Sequence, residues 1–309
     1  MTTTHVILGA GPVARAVAAA LTMRGIEPAV VTRSGVTVAG TVSRRADLTD
    51  TVAATEVLAG ARVVFQCAQP PYHRWSQEFP RLQASVLQAT AAAGAVLVAA
   101  ENLYGYAPAT VALTEDLPLA ATTSKGAVRA AMWRQLEAAH RAGRVQVVAG
   151  RSSDFFGPGV STSAVGERFL APLAAGKPVR VAGDPSRLHT YTYVGDFGEA
   201  MVRLSETPAS WGQAWHVPNA PTTTTRAFAE LVADIAGSTA QLRPISRWQL
   251  RMIGTIVPAV REMVEMLYEF ENDWVVDHGR YAALLGDHAT PLDDALRSTL
   301  TGSSTFQRR

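Results

Sequence analysis

A chain of 309 residues, 48% of them hydrophobic, can bury a sizeable core, which excludes fibrous and disordered classes and points to one or two globular domains. A formal net charge of +2, with Arg scattered among acidic residues, gives no basic stripe for nucleic acid or for a membrane, and neither is expected as a partner. The single Cys67 excludes an internal disulfide and fits a reducing, cytoplasmic setting, and the dispersed histidines suggest no metal site. The first residues lead almost at once into a strand, leaving no room for a signal peptide, and no apolar run approaches the roughly 18 residues of a membrane span.

The stretch VILGAGPVAR at residues 6–15 reads as strand, tight turn and helix start. Its Gly9-Ala10-Gly11-Pro12-Val13-Ala14 has the G-x-G-x-x-A spacing of a dinucleotide-binding turn. Gly9 permits the bend, and Gly11 lets a pyrophosphate approach the backbone. Pro12 and Val13 open the helix whose free N–H groups face an anion, and Ala14 keeps that helix close to its strand. Residues 28–32 read as a second strand ending at Arg33-Ser34. An Asp or Glu there would hold the ribose 2′-hydroxyl of NAD. Arg33 and Ser34 offer donors suited to a 2′-phosphate instead, so NADP(H) is preferred over NAD(H), the other reading of Arg33 being a solvated loop residue.

Asp50 is placed to cap a helix reaching Gly60, and residues 62–67 form a buried strand. The double proline after Ala68 and Gln69 carries Tyr72 and His73 onto a loop at the carboxyl edge of the sheet, where such folds place ligands. A helix over 77–93, a strand over 95–99 and a loop over 101–105 follow. The next helix, over 125–142, has Val128, Met132 and Leu136 on one face and Arg129 off it. A strand over 145–149 enters the loop 150–159. This alternation marks an α/β, Rossmann-type, doubly wound parallel sheet. Further along, Phe155, Phe156, His189, Tyr191, Trp248 and Trp274 read as aromatics of a substrate pocket, with core burial as the other reading. Residues 246–270 read as an amphipathic helix interrupted at Pro258, with Ile253, Ile256, Val257, Val260, Met263, Val264 and Leu267 apolar, and 302–309 as a frayed tail.

Gly9-Ala10-Gly11, Asp47-Leu48, Asn102-Leu103-Tyr104-Gly105, Ser124-Lys125, Arg151 with Gly157-Pro158-Gly159, and Tyr193-Val194-Gly195-Asp196 together resemble the extended short-chain dehydrogenase/reductase family. More narrowly, they resemble its NAD-dependent epimerase/dehydratase type in an atypical branch. The resemblance implies that Asp47 and Leu48 lie near the adenine, Ala68 and Gln69 near the pyrophosphate and ribose, and Arg151 near the nicotinamide. It also implies a nucleotide domain over 1–155, with 190–217 returning to it, and a smaller substrate domain over 156–189 and 218–309. Related enzymes pair the helices near 77–93 and 125–142 across a two-fold contact, so a homodimer is expected.

The family's catalytic Tyr and Ser positions hold Ala121 and Ala100, which can transfer no proton. Lys125 is kept in a chain where all but two of 28 basic residues are Arg, which argues for a retained ribose contact. Tyr72, His73 and Tyr104 are the candidate replacements for the lost acid, and Asn102 either holds a substrate oxygen or braces its loop. The expected function is an NADP(H)-dependent oxidoreductase acting on a small organic alcohol or carbonyl. A non-redox isomerase, lyase or cyclase and a non-catalytic NADP(H) sensor stay open beside it.

Overall fold

Short apolar runs alternating with amphipathic ones dictate strands buried on both faces and helices that cover them. The computed structural model describes residues 4–256 and 264–302. Strands β1 His5–Leu8, β2 Ala29–Thr32, β3 Val42–Arg45, β4 Val63–Gln66, β5 Val96–Asn102 and β6 Gln146–Ser152 come first. Helices α1 Pro12–Met23, α2 Thr51–Leu58, α3 Trp75–Ala93 and α4 Ser124–Arg141 interleave with them. Then come β7 Asp154–Phe156, α5 Glu167–Ala174, β8 Val179–Ala182, β9 Leu188–His189, β10 Tyr191–Tyr193 and α6 Val194–Glu206. They are followed by β11 Ala214–His216, β12 Thr223–Thr224, α7 Thr225–Ala236, β13 Leu242–Ile245 and α8 Arg247–Gly254. The last helices are α9 Tyr268–Glu271, α10 Gly279–Leu285 and α11 Leu292–Gly302.

Contacts divide the chain into two compact units. The first comprises Met1–Gly105, Ser124–Arg151 and Phe197–Val217, and the second Tyr106–Thr123, Ser152–Asp196 and Pro218–Arg309.

The first unit is built on a seven-stranded sheet in the order β11-β6-β5-β4-β1-β2-β3. From β1 the chain winds outward through β2 and β3, then returns to the other side of β1 through β4, β5 and β6. The strand order therefore reverses between β1 and β4, and a ligand crevice belongs outside their carboxyl ends. Ile7 is in register with Val30 on one side and Phe65 on the other, all fully buried. Helix ends follow local chemistry. The Asp50 carboxylate accepts from the N–H groups of Val52 and Ala53, and Gly94, at φ 64°, closes α3 in a conformation that costs glycine nothing.

Several local readings need correction. β3 forms from a stretch with no apolar run, because the edge of β2 offers it a ladder in which Val31 pairs with Arg44. Tyr72 and His73 lie on a 3-10 turn, Tyr72–Arg74, that runs directly into α3 at Trp75, two residues before the expected start. β5 continues through Glu101 and Asn102, which were expected in a loop, and β6 runs on to Ser152. Arg129 is buried within α4, although the helix pattern put it off the apolar face.

In the second unit β7 pairs with β10 in parallel, β9 with β12 antiparallel and β8 with β13 in parallel. Its core gathers Phe156, Phe169, Leu173, Tyr191, Phe228 and Leu296. Trp274 is also buried in this unit, while Trp248 is 70% exposed. Of the expected apolar set over 246–270, Leu267 is buried but Ile256 is exposed. Val257, Pro258, Val260, Met263, the side chain of Ile253 and residues 303–309 lie outside the described residues. No helix among the described residues is long and apolar enough to cross a membrane.

Within the first unit, Gly198 on α6 meets α1 so closely that an added Cβ would lie 2.5 Å from the backbone carbon of Ala16. A helix interior favours Ala over Gly by about 1 kcal/mol, but backbone atoms cannot give way cheaply. We expect Gly198→Ala to lower stability by about 1–3 kcal/mol in urea titration. A gain in stability would contradict this packing.

Candidate functional site

At the reversal point, β1 is followed by Gly9 with φ 97°, where a side chain is strained and an added Cβ would press on Ala68 Cα at 3.0 Å. The chain then reaches Gly11, the N-cap of α1, followed by Pro12 in the first helical turn. A Cβ built on Gly11 would meet nothing within 4 Å, so the mouth of the turn is open space beside the helix N-terminus. This arrangement fits a pyrophosphate laid against the backbone from residue 11 to 14. Val13 lies in the same first turn, Ala68 is half-buried against Gly9, and Gln69 is exposed beside it.

Arg33 and Ser34 follow β2 and are both exposed. Asp47 is exposed as well, and its carboxylate is occupied by the N–H and hydroxyl of Thr49 at 2.9 and 2.8 Å. Those bonds, chiefly the backbone one, hold it below the usual carboxylate range, and the charges of Arg33 and Arg81 add to the effect. Asp47 Oδ1 is thus already engaged by its own turn. Leu48, beside it, is buried.

A second cluster gathers around Lys125, in the first turn of α4 and only 3% exposed. Its Nζ lies 4.4 Å from the ring centre of Tyr72. Tyr72 meets Trp75 edge-on at 5.0 Å and Tyr104 at 6.5 Å, and the Trp75 indole donates to Pro70 O. Arg129, one helical turn beyond Lys125, donates to Asn102 Oδ1 and Ala100 O, and its guanidinium faces Trp75 and Phe79. Burial pulls Arg129 below its ordinary value and Arg151 adds to that, whereas the charge of Glu101 works against it. Asn102 Oδ1 also accepts from the Tyr104 N–H, so this side chain braces the loop that carries Tyr104. Arg151, near the end of β6, pairs with Glu101 at 3.2 Å, both almost fully buried, and faces the Trp133 ring.

The structure thus brings Tyr72, Tyr104, Asn102 and Lys125 together, while His73 points to solvent from the same turn as Tyr72. Trp75, Arg129 and Glu101 were not singled out from sequence. A Glu near the end of the run AVLVAAEN, and an Arg four residues after the lone Lys of α4, were the available signals.

The remaining candidates lie in the second unit. Phe156 and Tyr191 are core side chains, the Tyr191 hydroxyl bonded to Thr225 Oγ1, and Phe155 is half-buried. His189 is buried and stacked on Phe270, with Nδ1 donating to Glu269 O and Nε2 at 3.0 Å from Asp154 Oδ2. Its ring is satisfied inside the fold, and the burial of His189, Tyr191 and Phe156 favours the core reading over the pocket one. Glu269 beside it is pushed well above its ordinary value, by burial first and by the charge of Asp154 second.

Residues 5–217 match the model of the NAD dependent epimerase/dehydratase family. Among curated proteins none matches the sequence. Similar solved structures include a UDP-glucose 4-epimerase from Thermus thermophilus complexed with NAD (20% identity, 98% of this chain and 99% of that one, TM-score 0.74). A UDP-glucuronic acid 4-epimerase from Bacillus cereus with NAD is similar at 16% identity, covering 96% and 97%, with TM-score 0.79. A putative epimerase from Burkholderia cenocepacia is similar at 18%, covering 99% of both chains, with TM-score 0.79. At these identities the likeness speaks for the fold.

Removing the carboxylate from a buried ion pair leaves a desolvated cation behind, a loss of about 3–5 kcal/mol. We expect that loss for Glu101→Ala in chemical denaturation, because Arg129 and Arg151 both lie within its field. Asp293→Ala, which breaks the exposed pair with Arg297, should leave stability unchanged. Equal effects of the two would contradict the account of the buried cluster.

Proposed function

Since the chain belongs to the NAD dependent epimerase/dehydratase family, we propose that it binds a nicotinamide dinucleotide in its first unit and acts on a small organic alcohol or carbonyl. The observation that carries this reading is the Gly9–Ala68 approach with open space at Gly11. In this reading residues 9–14 take the pyrophosphate, Ala68 and Gln69 flank it, Asp47 and Leu48 border the adenine, and Lys125 and Arg151 serve the ribose and nicotinamide end. The bound nicotinamide would supply a hydride acceptor or donor. The second unit would carry the substrate-binding role. Ala100 on β5 and Ala121, three residues before α4, bear only methyl groups, so this chain handles the substrate oxygen by other means. The same two alanines favour a second reading, a reaction on this fold without net hydride transfer. Substrate conversion without any change in nicotinamide absorbance would select it.

NADP(H) is the preferred cofactor in this reading. Arg33 and Ser34 stand exposed past β2, where a carboxylate would repel a 2′-phosphate, and Asp47 is tied to Thr49. Arg33→Ala should cost NADP(H) about 1.5–3 kcal/mol of binding free energy and leave NAD(H) unchanged by calorimetric titration. Equal affinity of the unaltered protein for the two cofactors would contradict the preference. Burial pushes the Cys67 thiol up to about 12, and this free cysteine is compatible with a reducing cytoplasm.

We further read the protein as a homodimer. On α4 the exposed Ala127, Ala131 and Ala138 share one face with Arg134, and α4 already packs on α3 through Gln83, which donates to Met132 O and Gln135 Oε1. Light scattering should give twice the 32.8 kDa chain mass. A mass that stays at the monomer value as concentration rises would reject the dimer.

A further inference from the structure

With Ala121 four residues before Lys125, the phenol that a neighbouring ammonium would serve has to come from another element. Tyr72 supplies it. Its ring lies 4.4 Å from Lys125 Nζ, and its position is fixed from three sides. Pro70-Pro71 stiffen the approach, Trp75 packs against the ring edge-on at 5.0 Å, and that indole is itself held by Pro70 O. We infer that Tyr72 is the catalytic residue that exchanges a proton with the substrate oxygen, an inference that rests on the nicotinamide reading above. In the oxidising direction the substrate O–H proton passes to the Tyr72 phenolate oxygen. A bound oxidised nicotinamide would supply the hydride acceptor, so that loss of the proton to Tyr72 and of a hydride from the adjacent C–H would leave a carbonyl. The reverse direction returns both to the same atoms.

The other candidates fit the role less well. Asn102 exchanges no proton, and its Oδ1 is engaged by Arg129 and the Tyr104 N–H. Tyr104 stands one ring further on, 6.5 Å from the Tyr72 centroid. His73 shares the turn but is exposed. Facing Tyr72 are Lys125 from α4 and Tyr104 from the segment after β5, and His73 and Arg74 share its own turn. The Lys125 ammonium over the ring is the charge that would hold a phenolate there.

The test needs no substrate. Tyrosinate formation is followed by ultraviolet absorbance against pH in the full-length protein, which has seven tyrosines. We expect one to ionise about one pH unit or more before the rest. Tyr72→Phe should remove this early step, Tyr104→Phe should leave it, and Lys125→Met should move it back among the others. Tyr72→Phe keeps the ring and its packing, so loss of the early step in this variant belongs to the Tyr72 hydroxyl and not to a repacked site. An early step that persists in Tyr72→Phe, or its absence from the unaltered protein, would overturn the inference. Calorimetric titration of the same proteins with NADP(H) keeps the two readings apart. Failure of the unaltered protein to bind would sink the nicotinamide reading whatever the tyrosines do, and binding without an early tyrosine would sink only the role of Tyr72.

Discussion

The close approach of Gly9 to the backbone of Ala68 is the constraint on which the rest of the first unit depends. β1 and β4 are neighbours at the point where strand order reverses, and both chains must leave the sheet there within 3.0 Å of where a side chain would begin. Only a residue without a Cβ, at a positive φ, can turn in that space. Because the turn is tight, α1 starts at Pro12 with its N-terminus over the crevice, and Gly11 leaves the mouth open. The chain leaving β4 is carried by the same geometry past Ala68 into Pro70-Pro71. The stiffness of that segment, rather than a long loop, is what delivers Tyr72 to Lys125.

The second feature is the concentration of buried cations in one unit. Lys125, Arg129 and Arg151 are each under 10% exposed, and the carboxylate paired with Arg151 is Glu101. Burying a guanidinium is costly unless its donors are satisfied and its faces covered. Arg129 meets both conditions, with acceptors on Asn102 and Ala100 and the rings of Trp75 and Phe79 on its faces. Each such ring contributes about 0.5–2 kcal/mol where water is excluded. The aromatic residues at the start of α3 are therefore part of how this unit tolerates positive charge, and one of them, Trp75, also packs edge-on against Tyr72.

Much of this architecture was legible in the sequence. The Gly9 turn, the capping Asp50 and the alternation of strands and helices follow from local rules, and Lys125 stood out because lysine is so rare here. What was not legible depends on neighbours. Val42-Ser43-Arg44-Arg45 has no apolar run and becomes a strand only because β2 offers an unpaired edge. Arg129 looks like a solvated helix charge until Asn102 and Ala100 are seen to accept from it. Glu101 lies in a run that reads as strand turning to loop, yet strand pairing carries it into the interior. His189 and Tyr191 have the composition of a pocket, but Asp154, Glu269 O and Thr225 satisfy them internally, and such partners lie 34 to 80 residues away in the chain.

The central claim is that the Gly9 turn holds a nicotinamide dinucleotide whose reactive end lies toward Lys125. The most direct measurement is an experimental structure determined with NADP+ added. The account requires the pyrophosphate oxygens within hydrogen-bond reach of backbone N–H groups between Gly11 and Ala14, the 2′-phosphate at Arg33 and Ser34, and the nicotinamide ribose at Lys125. A pyrophosphate bound away from that turn, or no nucleotide at saturating concentration, would contradict it.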